Sequence, residues 1–182
     1  MNDKLYIYTF SGGDFSMWKY SRFVVKTTDP RLMGQEEPYR DFWFCSAEQY
    51  LMAMKALLFD NLRIFWDVMA TRSPSEADAI AADGNFANFD QARWEECLTQ
   101  FVYDANMHKF SQGGELRESL MKAPRSAIFA YTTDKDMLLG TGLPSRDKNN
   151  YVPSKWPGVN ILGLALTAVR DELLRHPQDE EE

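Results

Sequence analysis

The chain has 182 residues, 45% of them hydrophobic and 14% aromatic, enough to bury one sizeable core and too few to suggest two. Its net charge is −7, of which the four acidic residues from Asp179 to Glu182 carry four, and no basic stripe offers the footprint of a general duplex binder. Cys45 and Cys97 form no CxxC pair and have no histidine at ligand spacing, so neither a zinc site nor a disulfide framework is expected and no cofactor is called for.

The apolar runs are broken by charge every few residues, which argues against a membrane span. The start Met1-Asn2-Asp3-Lys4-Leu5-Tyr6 has neither the basic nor the apolar part of a secretory signal, so the chain is read as cytoplasmic. Three segments rich in aromatic and β-branched residues, Leu5–Tyr8, Arg22–Lys26 and Asp41–Phe44, read as strands. The stretches between them, Ser11–Ser16 and Thr27–Pro38, have loop composition.

From Ser46 the period changes. Ser46 and Gln49 are placed as a capping box, and Tyr50, Leu51, Ala53, Met54, Leu57 and Leu58 follow on a helical repeat. A second helix is expected from Leu62 through Met69. A third starts at Ser73-Pro74-Ser75-Glu76 and runs to about Ala82. Asp90 can cap a longer helix that places Trp94, Cys97, Leu98, Phe101, Val102 and Ala105 on one face and ends near Phe110.

Glu115–Lys122 reads as a short helix stopped before Pro124, and Ala127–Tyr131 as a strand. A long loop, Thr132–Val159, carries Gly140, Gly142, Pro144, Pro153, Pro157 and Gly158; loops of that length in compact domains are usually functional. Asn160 can cap a last amphipathic helix through Leu174. No repeat or linker divides the chain, which reads as one domain over residues 1–176 and an acidic, solvated tail over 177–182.

Two places could carry chemistry. Glu48 and Lys55 are seven apart on the capped helix, so they share a face about 10 Å apart along the axis. Charges on an apolar stripe must either pair or line a cavity. A structural ion pair accounts for them; so does a desolvated Lys55 attacking a sugar carbon while Glu48 moves protons. Asp136, with Gly140 and Gly142, sits in the long loop, where it is either a turn residue or a carboxylate presented to a ligand. His108 and His176 are isolated, and surface or core roles account for them.

The segment Ser46-Ala47-Glu48-Gln49-Tyr50-Leu51-Met52-Ala53-Met54-Lys55-Ala56 resembles the signature of the NADAR (YbiA-like) family, in which a small residue precedes Glu, then His or Gln, Tyr, and a Lys seven positions after the Glu. Asp14-Phe15-Ser16, Asn88-Phe89-Asp90 with Trp94, Lys109-Phe110-Ser111-Gln112 with Leu116-Arg117, Asp136 through Gly142-Leu143, and Trp156-Pro157-Gly158-Val159-Asn160-Ile161-Leu162-Gly163 with Val169-Arg170 resemble later parts of the family in the same order. The resemblance implies an α+β fold, a single compact YbiA-like domain, mostly helical with a small sheet.

It also implies an N-glycosidase pocket for ribose bonded to a nitrogen base. The substrate would be a small-molecule nucleotide, such as a ribosylamino-pyrimidine intermediate of riboflavin synthesis, or guanine carrying ADP-ribose in nucleic acid. Lys55 would attack the anomeric carbon and form an imine. Glu48 and Asp136 would be its acid/base and orienting partners, converging with it on one concave pocket, and Phe15, Ser16, Trp94, Gly140, Gly142, Trp156 and Asn160 would bind or shape around the substrate.

Three positions depart from the family's usual pattern: Leu139 for a Trp, Tyr131 for a Glu, and Asp83-Gly84 for a Gly-Arg pair. Losing an aromatic and an Arg weakens base stacking and phosphate recognition. These departures favour a second reading, a binding or sensor protein for ADP-ribose-like nucleotides with reduced turnover. A third, a structural interaction domain, leaves Glu48, Lys55 and Asp136 without a role.

Overall fold

A computed structural model of the chain describes residues 6–33 and 38–176; the acidic tail expected at 177–182 lies outside them. Among the described residues there are four short strands and six α-helices, an α+β fold that is mostly helical. The chain divides into two compact units: Met1–Ser16 together with Cys97–Glu182, and Met17–Glu96.

In the second of these units, β2 (Phe23–Thr27) and β3 (Arg40–Phe44) pair antiparallel, Phe23 opposite Phe44 and Thr27 opposite Arg40. Alternation puts Phe23, Phe42 and Phe44 in the core and leaves Arg22, Lys26 and Trp43 outside. Arg31 ties the connection between these strands to the end of α1 (Ala47–Leu58): it donates to the Leu57 carbonyl at 2.9 Å and pairs with Asp29 and Asp60. A cation there meets the negative end of the helix dipole.

Helix α1 packs on α2 (Leu62–Ala70) and α3 (Pro74–Ile80), whose starts are capped by Asn61 and Ser73. Ala47, Ala53 and Ala56 on α1 are fully buried. The capping box forms only by half: Ser46 Oγ accepts from the Gln49 N–H at 3.1 Å, but the Gln49 side chain does not return to Ser46. Its Oε1 accepts from Cys45 N–H at 2.8 Å, and its Nε2 donates to the carbonyls of Val68 at 3.0 Å and Thr71 at 2.7 Å. Buried, the amide is worth more in stitching α2 to the start of α1 than in closing a local cap.

In the other unit, β1 (Tyr6–Phe10) pairs parallel with β4 (Ala127–Tyr131), from Tyr6 opposite Ala127 to Phe10 opposite Tyr131. Tyr8, Phe10, Phe15 and Phe129 form a ring cluster with centroids 5.2–6.3 Å apart. α6 (Ile161–Arg175) packs on β4, and α5 (Gly114–Met121) on α6. α6 can approach β4 because residue 163 is glycine; a methyl group there would strike the Phe129 carbonyl and the Asn160 amide. The buried Arg170 completes the contact by donating to the carbonyls of Pro124 at 3.1 Å and Ala127 at 2.7 Å. The remaining helix is α4 (Gln91–Gln112), capped as expected by Asp90, whose Oδ1 accepts from Arg93 N–H at 3.0 Å.

Candidate active site

In the Met17–Glu96 unit the centre of interest is Lys55. Helical spacing turns it to the same side of α1 as Glu48, and both are buried, 5% and 6% exposed. The ammonium is not left alone. Nζ donates to the Ala81 carbonyl at 2.8 Å and to Asp83 Oδ1 at 2.5 Å, and three ring centroids surround it, Phe86 at 5.6 Å and Phe89 and Trp94 at 5.2 Å each. The sequence set this lysine with Glu48 on an apolar stripe and did not single out Asp83 as its partner. Asp83 opens a one-turn 3-10 helix, Asp83–Asn85, that follows α3.

The Lys55 side chain is 6% exposed and that of Asp83 57%, so the pair joins a buried nitrogen to a carboxylate in water. The aromatic surround is itself braced. Phe89 packs on Phe59 at 5.1 Å, Asn88 Nδ2 donates to the Phe59 carbonyl at 3.2 Å, and the Asp90 carbonyl accepts the first α4 bond from Trp94 N–H. Asn88-Phe89-Asp90 thus fixes Trp94 and Phe89 against Nζ, a role the motif's residue types do not announce.

In the other unit, Asp136 is a turn residue. Its Oδ1 accepts from the N–H groups of Leu138 at 2.9 Å and Leu139 at 2.8 Å, while Oδ2 takes no hydrogen bond from the described residues. Gly142 has φ +76°, and a side chain there would meet Pro157 Cγ at 2.8 Å and the Gly158 nitrogen at 2.9 Å. Gly140 and Gly142 are therefore both required by the chain's own packing, a side chain at Gly140 striking Thr133. Trp156 donates its indole N–H to the Asn150 carbonyl at 3.1 Å.

Asn160 does not cap α6 with its side chain. It takes the left-handed conformation, φ 60° and ψ 38°, and its fully buried amide turns to the strand: Oδ1 accepts from Tyr131 N–H at 2.9 Å and Nδ2 donates to the Phe129 carbonyl at 2.9 Å. Those two strand groups face away from β1 and need partners, whereas an N-terminal helix N–H can be met by a loop carbonyl, as Leu139 does for Leu162 at 3.1 Å. The ring of Phe15 lies in the aromatic core, 7% exposed. Lys109, fully buried on α4, donates to the carbonyls of Asp14 at 2.6 Å and Ser16 at 2.8 Å and so shapes the Gly13–Ser16 turn. Lys109 entered the sequence reading only within the Lys109-Phe110-Ser111-Gln112 resemblance, and its residue type gave no sign of this structural role.

Burial also displaces titration outside the candidate residues. Burial pushes the Cys45 thiol up, and burial pushes the His108 imidazole below its ordinary 6.5 against the opposing pull of Asp104. No cluster of three or more His, Cys, Asp or Glu side chains is placed to hold a metal among the described residues, and no described helix is long and apolar enough to cross a membrane.

The NADAR domain model matches residues 8–174. A protein of Acanthamoeba polyphaga mimivirus named as an N-glycosidase is 32% identical over 129 residues, 71% of this chain and 74% of that protein. Protein irg-1 of Caenorhabditis elegans is 28% identical over 160 residues, 87% of this chain and 74% of that one. The solution structure of the E. coli protein YbiA superposes with a TM-score of 0.67 at 22% identity, covering 97% of this chain and 92% of YbiA, a likeness of fold. A family match over nearly every described residue, with a relative above 30% identity, places this chain in the NADAR domain family.

Proposed function

We propose that this chain is an N-glycosidase that cleaves the bond between the anomeric carbon of a ribose and a base or amine nitrogen. The family membership and the mimivirus relative's name support a glycosidase. The observation that carries the lysine route is Lys55 itself: a primary amine buried in an aromatic surround and in hydrogen-bond contact with a solvent-reaching carboxylate. A purely structural ion pair has no need of such burial, since desolvating a charge costs more than an exposed pair returns.

In this reading Nζ gives a proton to Asp83 and attacks the anomeric carbon. The carbon–nitrogen bond breaks, its electron pair leaves with the base, and Glu48 supplies the proton that neutralises the leaving nitrogen. Opening of the sugar ring leaves an imine on Lys55; water adds to it, releases the sugar aldehyde and restores the amine. Rings around Nζ suit the positive charge that develops. Asp136 takes the part of an orienting carboxylate only as what the family resemblance implies. Candidate substrates are ribosylamino-pyrimidine phosphates and guanine bearing ADP-ribose. The test is borohydride added during turnover, which should reduce the imine and leave the sugar on Lys55, located by mass spectrometry. Turnover with no adduct would rule out the imine.

One observation favours a second reading, a nucleotide-binding protein of low turnover. Asp83 occupies the Lys55 amine at a position where the family usually carries a Gly-Arg pair. Asp83→Asn separates the two. If Asp83 accepts the proton, cleavage falls by roughly 10²-fold or more; if it only restrains the amine, cleavage rises.

A further inference from the structure

A cavity in the Met17–Glu96 unit has no part in the chemistry above. It encloses about 280 Å³ beside the start of α1, and neither Glu48, Lys55 nor Trp94 lines it. Its rim carries Tyr20, Arg22, Trp43 and Arg72, and its floor includes Phe44 and Cys45.

The floor is rigid. Gln49 holds the Thr71 carbonyl at 2.7 Å and Cys45 Sγ donates to the Arg72 carbonyl at 3.3 Å, so the backbone bearing Arg72 is pinned to the helix start. Across the rim, the Arg22 guanidinium lies 4.3 Å from the centre of the Trp43 ring, a cation–π contact that holds it at the opening. Neither guanidinium has a carboxylate partner among the described residues, in a chain whose net charge is −7. Two like charges on one rim repel unless an anion sits between them. Trp43 and Tyr20 are 54% and 65% exposed, large aromatic surfaces left in water at the same opening.

We infer that this cavity is a binding site for a nucleoside monophosphate, with the phosphate on Arg22 and Arg72 and the base against Trp43 and Tyr20. Guanidinium forks match phosphate oxygens two at a time, and indole and phenol faces stack flat bases. The volume lies just below the usual range of small-molecule pockets, about 300–1,000 Å³, and so suits one nucleotide rather than a dinucleotide. The inference does not depend on glycosidase activity.

Calorimetric titration of adenosine monophosphate into the Lys55→Met protein tests it, because the proposed catalytic amine is then absent and any signal reports binding alone. Binding should persist there. Arg22→Gln with Arg72→Gln on the same background should weaken it on the order of tenfold or more, the worth of a charge-assisted contact. Trp43→Leu should weaken it too, and inorganic phosphate and adenosine should each bind less tightly than the nucleotide. All three substitutions alter exposed side chains; if the glutamine pair nevertheless lowers the melting temperature, the Arg22→Glu single variant, which reverses one charge, is the second reading of the same contact. No binding, affinity unchanged by the arginine variants, or phosphate alone binding as well as the nucleotide would each overturn the assignment.

Discussion

Helix α1 and the loop from Thr132 to Val159 were both marked by the sequence as bearing site residues, and they employ their polar groups in opposite ways. On α1 the helix satisfies its own backbone, and Lys55 directs its amine at Asp83, the Ala81 carbonyl and three rings. In the loop and at its end the polar side chains serve backbone: Asp136 accepts two loop N–H groups through one oxygen, and Asn160, the residue that follows the loop, gives both ends of its amide to β4. A residue that reads as chemistry on a helix is thus freer to do chemistry than the same type in a long loop.

The comparison can be broken most directly at Lys55. Lys55→Met preserves bulk among Phe86, Phe89 and Trp94, and should abolish cleavage in a protein that still folds but melts lower, because the buried Ala81 carbonyl loses its donor; surviving activity means that water attacks without lysine help. Glu48→Gln should come next, slowing cleavage by on the order of 10²–10⁴-fold if its proton transfer matters. Comparable kcat in that variant at saturating substrate would remove Glu48 from the mechanism.

On the loop side the expected loss is one of stability. Asn160→Ala leaves the Tyr131 N–H and the Phe129 carbonyl buried without partners, a cost of about 2–6 kcal/mol from two such groups. Urea unfolding of Asn160→Ala and Asn160→Gly separates the parts, since glycine relieves the left-handed backbone but restores neither hydrogen bond. If glycine recovers the full loss, the amide bonds contribute little.

The smallest effect belongs to His108. Its folded value lies below that of the unfolded chain, so the unfolded state takes up protons first; stability is complete above about pH 6.5 and declines as the pH falls below it. Unfolding free energies of His108→Gln and the parent, compared across that range, should diverge with the parent the steeper. Parallel curves would mean that burial does not govern this imidazole.

The elements were legible because local rules specify them. Ser46, Asn61, Ser73 and Asp90 cap helices where their residue types say they should, and Ala127–Tyr131 is a strand with the bounds expected from its composition. Strand pairing was not legible: β1 joins β4 across most of the chain, and no local pattern encodes a parallel partner more than a hundred residues away. Buried polar residues were the other gap. Gln49, Lys109, Asn160 and Arg170 each look like an ordinary cap or surface group in one dimension, and each is buried against backbone that lies far off in sequence.

Taken by itself, the sequence determined the α+β class, the helix starts, the family resemblance and the pairing of Glu48 with Lys55 on one helical face, because periodicity and capping act over a few residues. Tertiary structure alone decided that Lys55 meets Asp83 inside a ring of Phe86, Phe89 and Trp94, and that Asn160 serves β4 rather than α6. The physical reason is the same in both cases: a buried polar atom takes whichever partner desolvation leaves within reach, and that choice is made only after the chain has folded.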